Sequence, residues 1–405
     1  MIAALAASLS LPDAYTISSA FFAIIGAVYL KDRLTKREPL FEKYLSGKLC
    51  LIFMAYALIF ASIQFWHEAP LSYYEIYIPF LWAPLIVLAV LVGRIDRRSI
   101  WLGCLIGVFF AFLIALYQSV ALGIVRSYGF LGSPITFGNN AILLGSVALA
   151  GRHDPPFKLR NSTWLMLAYL GFFFGVVASL FSQSKGGWPL IPLVLIWALV
   201  EDFFRGSRTS RFALVVTGFL VVCLSSFMPL GAAISRIHSA VVGTVIWFQT
   251  GEITEGSAAV RLELWKLGLT IWPEKPLLGH GREGIVQRMH DEIGRNEIDA
   301  GIGHITGLHN EPIQLLAEQG LIGLVSWVMI YAASILVFGR TYLRYDGVRK
   351  WLGQAGLMTV GASLIFGMSD MNLMLNANRQ IFVFLTMALS ALVIAENKSR
   401  NAIAT

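Results

Sequence analysis

The sequence predicts an all-α membrane protein of about 12 transmembrane helices, with one long extracytoplasmic loop whose helices fold over the bundle. Three observations carry that reading. The 405-residue chain is 57% hydrophobic and only 14% charged, and its mean hydropathy is +0.69. A water-soluble domain could not hide so much apolar surface. Apolar runs of about 16–21 residues recur between short polar loops, which is the length a helix needs to cross a hydrocarbon core roughly 30 Å thick. The runs are rich in Leu, Ala, Gly and Phe and lack the period-2 alternation of an outer-membrane barrel.

In chain order the spans are expected at 1–13, 15–30, 48–66, 75–93, 99–118, 135–150, 163–181, 187–203, 211–230, 321–339, 351–369 and 378–395. The first is short and Ser-rich and reads as a span, not a cleavable signal peptide. Three regions follow: residues 1–230 with nine helices, residues 231–320 as an extracytoplasmic loop, and residues 321–405 with three helices and a cytoplasmic tail. The loop opens on GAAISRIHSAVVGTVIWFQTGE (231–252), amphipathic enough to lie in the membrane interface. SAAVRLELWKLGLTIWPEKPLLGHGREGI (257–285) follows, a helix stopped by Pro273 and Pro276 and then a glycine turn. A polar stretch, 289–307, leads to the next span. No internal repeat or low-complexity tract is visible.

Lys and Arg set the orientation. The loops after even-numbered spans and the C-terminal tail hold 21 of the 31 basic residues. Both termini are therefore expected in the cytoplasm, and the net charge of +7 is mostly this orientation signal. It makes no case for nucleic acid. The other ten basic residues are Arg126, Lys185, Arg236, Arg261, Lys266, Lys275, Arg282, Arg288, Arg295 and Arg379. All fall on the face where the rule disfavours them, so something there requires positive charge. Cys50, Cys104 and Cys223 lie within spans and match no zinc or redox spacing; they read as buried free thiols.

Three residues stand out on that face. Lys185, in LFSQSKGGWPL, lies in a turn between two spans and is followed by two glycines. An ionisable group near membrane depth costs roughly 2.5–3.5 kcal/mol at a helix centre and less near the interface. It is either paired with an anion or snorkelling to the interface. Arg261 and Trp265 are i, i+4 and share a helix face. Arg261 either grips phosphate with its planar fork or joins a local network with Glu255 or Glu263. His309, in GLHNEPIQLLAEQG, precedes a helix start marked by Pro312. Imidazole is the natural general base at neutral pH, with Asn310 and Glu311 placed to orient it. The other reading is a capping or interfacial histidine.

SPITFGNN (133–140), Asp370 and Arg379 fall on the same face, with Asp370 expected to pair with a basic residue. Five of the seven histidines are His238, His280, His290, His304 and His309, without HxxH or HExxH spacing, so no metal is expected. GHGREG (279–284) follows no strand and is no nucleotide loop.

The pattern resembles the bacterial O-antigen ligase and O-antigen polymerase superfamily. The motif is His309-Asn310, nine residues, then Gly320-x-x-Gly323. SQSKGGW (182–188) is similar to the family's Ser-Arg-Gly segment, and SAAVRLELWKLGLTIWPEKPLLGHG (257–281) to its Arg-x-x-x-Trp…Pro-Leu-x-Gly-x-Gly segment. One position departs: Lys185 stands where the family usually has Arg, keeping the charge without the fork.

The resemblance implies transfer of a polysaccharide from undecaprenyl diphosphate to a sugar hydroxyl of lipid A-core, at the periplasmic face of the bacterial inner membrane. It implies no cofactor, metal or nucleotide sugar, and no partners beyond these two substrates and membrane lipids. By resemblance His309 is the general base, while Arg261 and Lys185 neutralise the leaving diphosphate. Arg126, Arg282, Arg288 and Arg379 are further donor contacts, supported by Asp370 and Asn310. Lys185, Arg261 and His309 are then expected to line one periplasmic cavity. The rival within the superfamily is the polymerase. Its protein oligosaccharyltransferase branch usually carries a larger C-terminal extension. A lipid-linked oligosaccharide transporter would place polar residues at mid-membrane and break helices in paired halves.

Overall fold

Backbone groups inside a bilayer must be satisfied within their own segment, so apolar runs fold as helices. The computed structural model describes residues 1–36, 45–203, 206–227, 230–251, 257–295 and 307–404, and among them it contains helices and turns but no strand. The helices are α1 (Ile2–Ala7), α2 (Ala14–Thr35), α3 (Leu45–Trp66), α4 (Leu71–Val92), α5 (Arg98–Ala121), α6 (Pro134–Ala150), α7 (Asn161–Ser182) and α8 (Lys185–Phe203). They continue as α9 (Arg208–Phe227), α10 (Leu230–Thr250), α11 (Ser257–Ile271), α12 (Gly281–Gly294), α13 (Glu311–Arg344), α14 (Val348–Gly367) and α15 (Asn376–Ala404).

Among the described residues eight helices are long and apolar enough to cross a membrane: α2, α3, α4, α5, α7, α8, α13 and α15. Helices α6, α9 and α14, of 17, 20 and 20 residues, coincide with three further expected spans. The chain is an all-α polytopic membrane protein. The expected span at 1–13 is corrected: α1 has six residues, a rise of roughly 9 Å, well short of a bilayer. It lies against α5, where Gly103 and Gly107 leave room for the Ile2, Leu5 and Ala6 backbone. The serines and Pro12 that follow favour turns over helix.

Helix α15 is the centre of the bundle, with 83% of its apolar window buried. A helix apolar on all sides packs on all sides. Phe382 on α15 stacks on Phe53 of α3 and Tyr331 of α13, at centroid distances of 5.8 and 5.4 Å. Helix α6 is likewise enclosed, between α5, α7 and α14. At the end rich in Lys and Arg, Arg152 forks onto Asp202 through two bonds of 2.5 and 2.9 Å. Tyr169 also donates to that carboxylate. Both ions are almost fully enclosed, so removing one partner strands the other, at about 3–5 kcal/mol.

One irregularity shapes the opposite face. Helix α13 breaks at Gly320, whose φ of 64° and ψ of −162° are not helical. The freed N–H groups are taken by the preceding loop: Leu321 donates to the Pro276 carbonyl (2.8 Å) and Ile322 to that of Leu277 (3.2 Å). The His280 N–H returns a bond to the Ala317 carbonyl (2.9 Å). A Cβ on Gly320 would overlap the Leu277 backbone, and one on Gly279 the Glu318 backbone. Only glycine permits both the positive φ and the approach. The expected span start at 321 therefore coincides with the break, and residues 311–319 form a separate amphipathic segment above it.

Candidate functional site

His309 sits immediately before α13 with φ of 48°, in the left-handed region. Histidine reaches this region more readily than most residues, but such backbone persists only where its surroundings hold it. Asn310 is the N-cap of α13; its Oδ1 accepts from the Ile313 N–H (3.2 Å). Its Nδ2 donates to the Met368 carbonyl (3.1 Å). Glu311 is buried and accepts the Leu373 N–H (2.8 Å). These two residues clamp the turn after α14 from both sides of Asp370.

Asp370 then meets the imidazole, its Oδ1 lying 3.1 Å from His309 Nδ1. The same oxygen accepts the Met371 N–H (2.8 Å). A carboxylate opposite Nδ1 favours the tautomer with the proton there and leaves Nε2 as the basic nitrogen. The Asp370 side chain is 9% exposed and the His309 side chain 35%: the acid is enclosed and the imidazole accessible. The ring is thus oriented by Asp370, not by Asn310 or Glu311, and the partner of Asp370 is an imidazole in place of an Arg or Lys.

Lys185 opens the first turn of α8 and is exposed. Its turn is anchored from two sides. Ser184 donates to Asn139 Oδ1 (2.9 Å), and a Cβ on Gly186 would overlap the Ser369 hydroxyl. Lys185 and Asp370 therefore stand on turns that touch. SPITFGNN serves as the scaffold: Asn139 holds the Lys185 turn, and Asn140 donates to Asn378 (2.5 Å), which donates to Asn372 (2.9 Å) beside Asp370. Arg126 joins the same region, donating to the Ser182 carbonyl (3.3 Å).

Arg261 lies on α11. This helix packs on the first turns of α13 through Leu264, Leu267 and Ile271 against Leu308 and Ala317. Gly268, two turns from Arg261 on the same face, receives Leu308 and Ile313. Glu263 is occupied by Trp247 (2.6 Å) and Lys266 (3.5 Å). Among the described residues Arg261 makes no hydrogen bond or ion pair; Glu255, the other expected partner, lies outside them, as does His304.

The remaining arginines are engaged. Arg379 is buried and donates to the Leu373 and Met374 carbonyls (3.0 and 3.1 Å) and to Asn376 (3.1 Å), bracing the turn beyond Asp370. Arg288 pairs with Glu274. Arg282 lies over the Tyr73 ring, 5.3 Å from its centroid. His280 is buried, with Nε2 2.8 Å from the Ile271 carbonyl. Sequence reasoning missed Gln64, Gln314, Glu318 and Ser369. The sequence carried little signal for them, because Gln314 and Glu318, one turn apart, read as a solvated helix face.

Parts of this sequence have counterparts in known proteins. The O-antigen ligase family model matches residues 170–328, which include Lys185, Arg261, His309 and the break at Gly320. An uncharacterized protein of Haemophilus influenzae is 22% identical over 277 residues, 68% of each chain. An O-antigen ligase of Pseudomonas aeruginosa is 32% identical over 152 residues, 37% of this chain and 34% of that protein, so the match spans about a third of that relative's length. The segment matched by the family model holds the accessible histidine, the lysine turn and the glycines of the broken helix, and over that segment the chain is similar to the O-antigen ligases.

Proposed function

We propose that the protein is an O-antigen ligase. It transfers a polysaccharide from undecaprenyl diphosphate to a sugar hydroxyl of lipid A-core, at the periplasmic face of the bacterial inner membrane. The loops rich in Lys and Arg then face the cytoplasm, together with the C-terminal end. The expected cytoplasmic N-terminus required a crossing by residues 1–13, and the six-residue α1 is too short to make one.

The observation that carries the reading is the His309–Asp370 contact beside the Lys185 turn. His309 Nε2 takes the proton of the acceptor hydroxyl while the oxygen attacks the anomeric carbon. The C–O bond to the diphosphate breaks with inversion, and undecaprenyl diphosphate leaves with the bonding pair. Asp370 holds the imidazolium that forms. Lys185 and Arg261 neutralise charge growing on the leaving oxygens, and Arg126 extends this cationic edge. Arg282, Arg288 and Arg379 support the donor site by bracing its walls, as their existing partners suggest. No metal or other cofactor is required by this scheme.

Purified protein, donor and lipid A-core in detergent test the proposal. The expected product is glycan on lipid A-core. Lengthened lipid-linked glycan would identify the polymerase instead. Translocation without transfer would favour the transporter; against it, the amides freed at the α13 break are filled by Pro276 and Leu277 carbonyls and are not open to cargo.

A further inference from the structure

Beneath His309 lies a buried chain of polar side chains that the transfer mechanism does not use. The Leu308 N–H donates to Gln314 Oε1 at 2.8 Å. Gln314 Nε2 donates to Glu318 Oε2 at 2.7 Å. Glu318 Oε1 receives Gln64 Nε2 at 3.1 Å and Gln319 Nε2 at 3.5 Å. Glu318 and Gln314 are each 1% exposed and Gln319 is 0% exposed. A polar cluster this enclosed is costly unless its groups are matched.

The chemistry fixes the direction of the chain. A backbone N–H can only donate, and a carboxylate receiving three amide N–H groups acts as the acceptor. Gln314 lies between them and satisfies both in one orientation only: oxygen toward Leu308, nitrogen toward Glu318. Removing the carboxylate removes the reason for that orientation. The amide can then turn, placing its NH₂ against the Leu308 N–H, and residue 308 loses its tether. Residue 309 is the next in the chain, and its φ of 48° needs support from its neighbours.

We propose that Glu318 is a positioning residue for His309, acting through the Gln314 side chain on the Leu308 backbone. Glu318 also lies two residues before the break at Gly320, against the Gly279 backbone. The residue whose side chain holds Gln314 therefore also has its backbone against the 276–281 loop. The proposal rests on His309 acting as the general base of the proposed transfer.

A reciprocal exchange tests it. Glu318→Gln and Gln314→Glu each break the donor–acceptor order. Together they restore it. The carboxylate introduced at position 314 accepts from the Leu308 N–H and from the amide introduced at position 318, whose oxygen still receives Gln64. A displacement of about 1 Å costs on the order of 10²-fold. Each single variant should lose roughly 10- to 100-fold in kcat with little change in KM, and the double variant should recover most of it. The rate of diethylpyrocarbonate modification at His309, read by mass spectrometry without substrate, should change in each single variant and return in the double. If the double variant recovers neither quantity, or the single variants leave both unchanged, the positioning role is refuted. If wild-type protein transfers no glycan, the ligase reading fails, and the modification rates still decide the positioning role.

Discussion

His309 Nδ1 and Asp370 Oδ1 stand 3.1 Å apart across 61 residues of sequence, and a proton held on Nδ1 by this contact leaves Nε2 as the basic nitrogen. His309→Ala should lower turnover by about 10²–10⁴-fold. Asp370→Asn should fall between that variant and wild type, because its amide can present NH₂ to Nδ1 and so select the wrong tautomer. The pH–rate profile of Asp370→Asn should also shift. Wild-type turnover from His309→Ala in the detergent assay would make the histidine structural.

Lys185 carries charge on a turn that touches the Asp370 turn through Gly186 and Ser369. A lysine supplies charge here without a guanidinium fork. Lys185→Arg should keep substantial activity, whereas Lys185→Ala should lose most of it through weaker stabilisation of the leaving diphosphate. Equal rates for all three proteins would remove Lys185 from the donor site.

The break in α13 predicts a contrast between two glycines of one helix. Gly320→Ala meets a positive φ and the Leu277 backbone at once, so destabilisation of at least about 1–3 kcal/mol is expected. Gly339 is helical with open space at its Cβ, and alanine there should be neutral or stabilising by up to ~1 kcal/mol. Thermal unfolding in detergent compares them. Similar melting points for both variants would mean that the 276–277 backbone does not close the break.

The bundle was legible because apolar length alone specifies a crossing helix, and 11 of the 12 expected spans correspond to helices. Residues 1–13 were misread because hydropathy does not register the turn made by Ser8, Ser10 and Pro12, nor the glycine groove on α5 that receives α1. His309, Lys185 and Arg261 were legible as charged or ionisable groups where apolar residues belong. The partner of Asp370 was not, since contacts 61 residues apart have no local signature. The Gln314–Glu318 pair was hidden for another reason. On a helix of mixed character, i, i+4 polar residues read as a solvated face, and burial appears only once α3 packs over them.

The last expectation concerns metal. A leaving diphosphate needs positive charge, and in the proposed scheme Lys185 and Arg261 supply it directly. Among the described residues no three His, Cys, Asp or Glu side chains group closely enough to hold an ion. The acidic pair Asp291-Glu292 is the nearest sequence feature to a ligand set, and Glu292 already takes Arg295 at 3.3 Å. EDTA should therefore leave the transfer rate within about twofold of its untreated value, while Lys185→Ala depresses it. A rate abolished by EDTA and restored by Mg²⁺ or Mn²⁺ would overturn the cation-only scheme. Asp291→Asn and Glu292→Gln would then show whether that pair holds the ion, by weakening the metal concentration dependence of the restored rate.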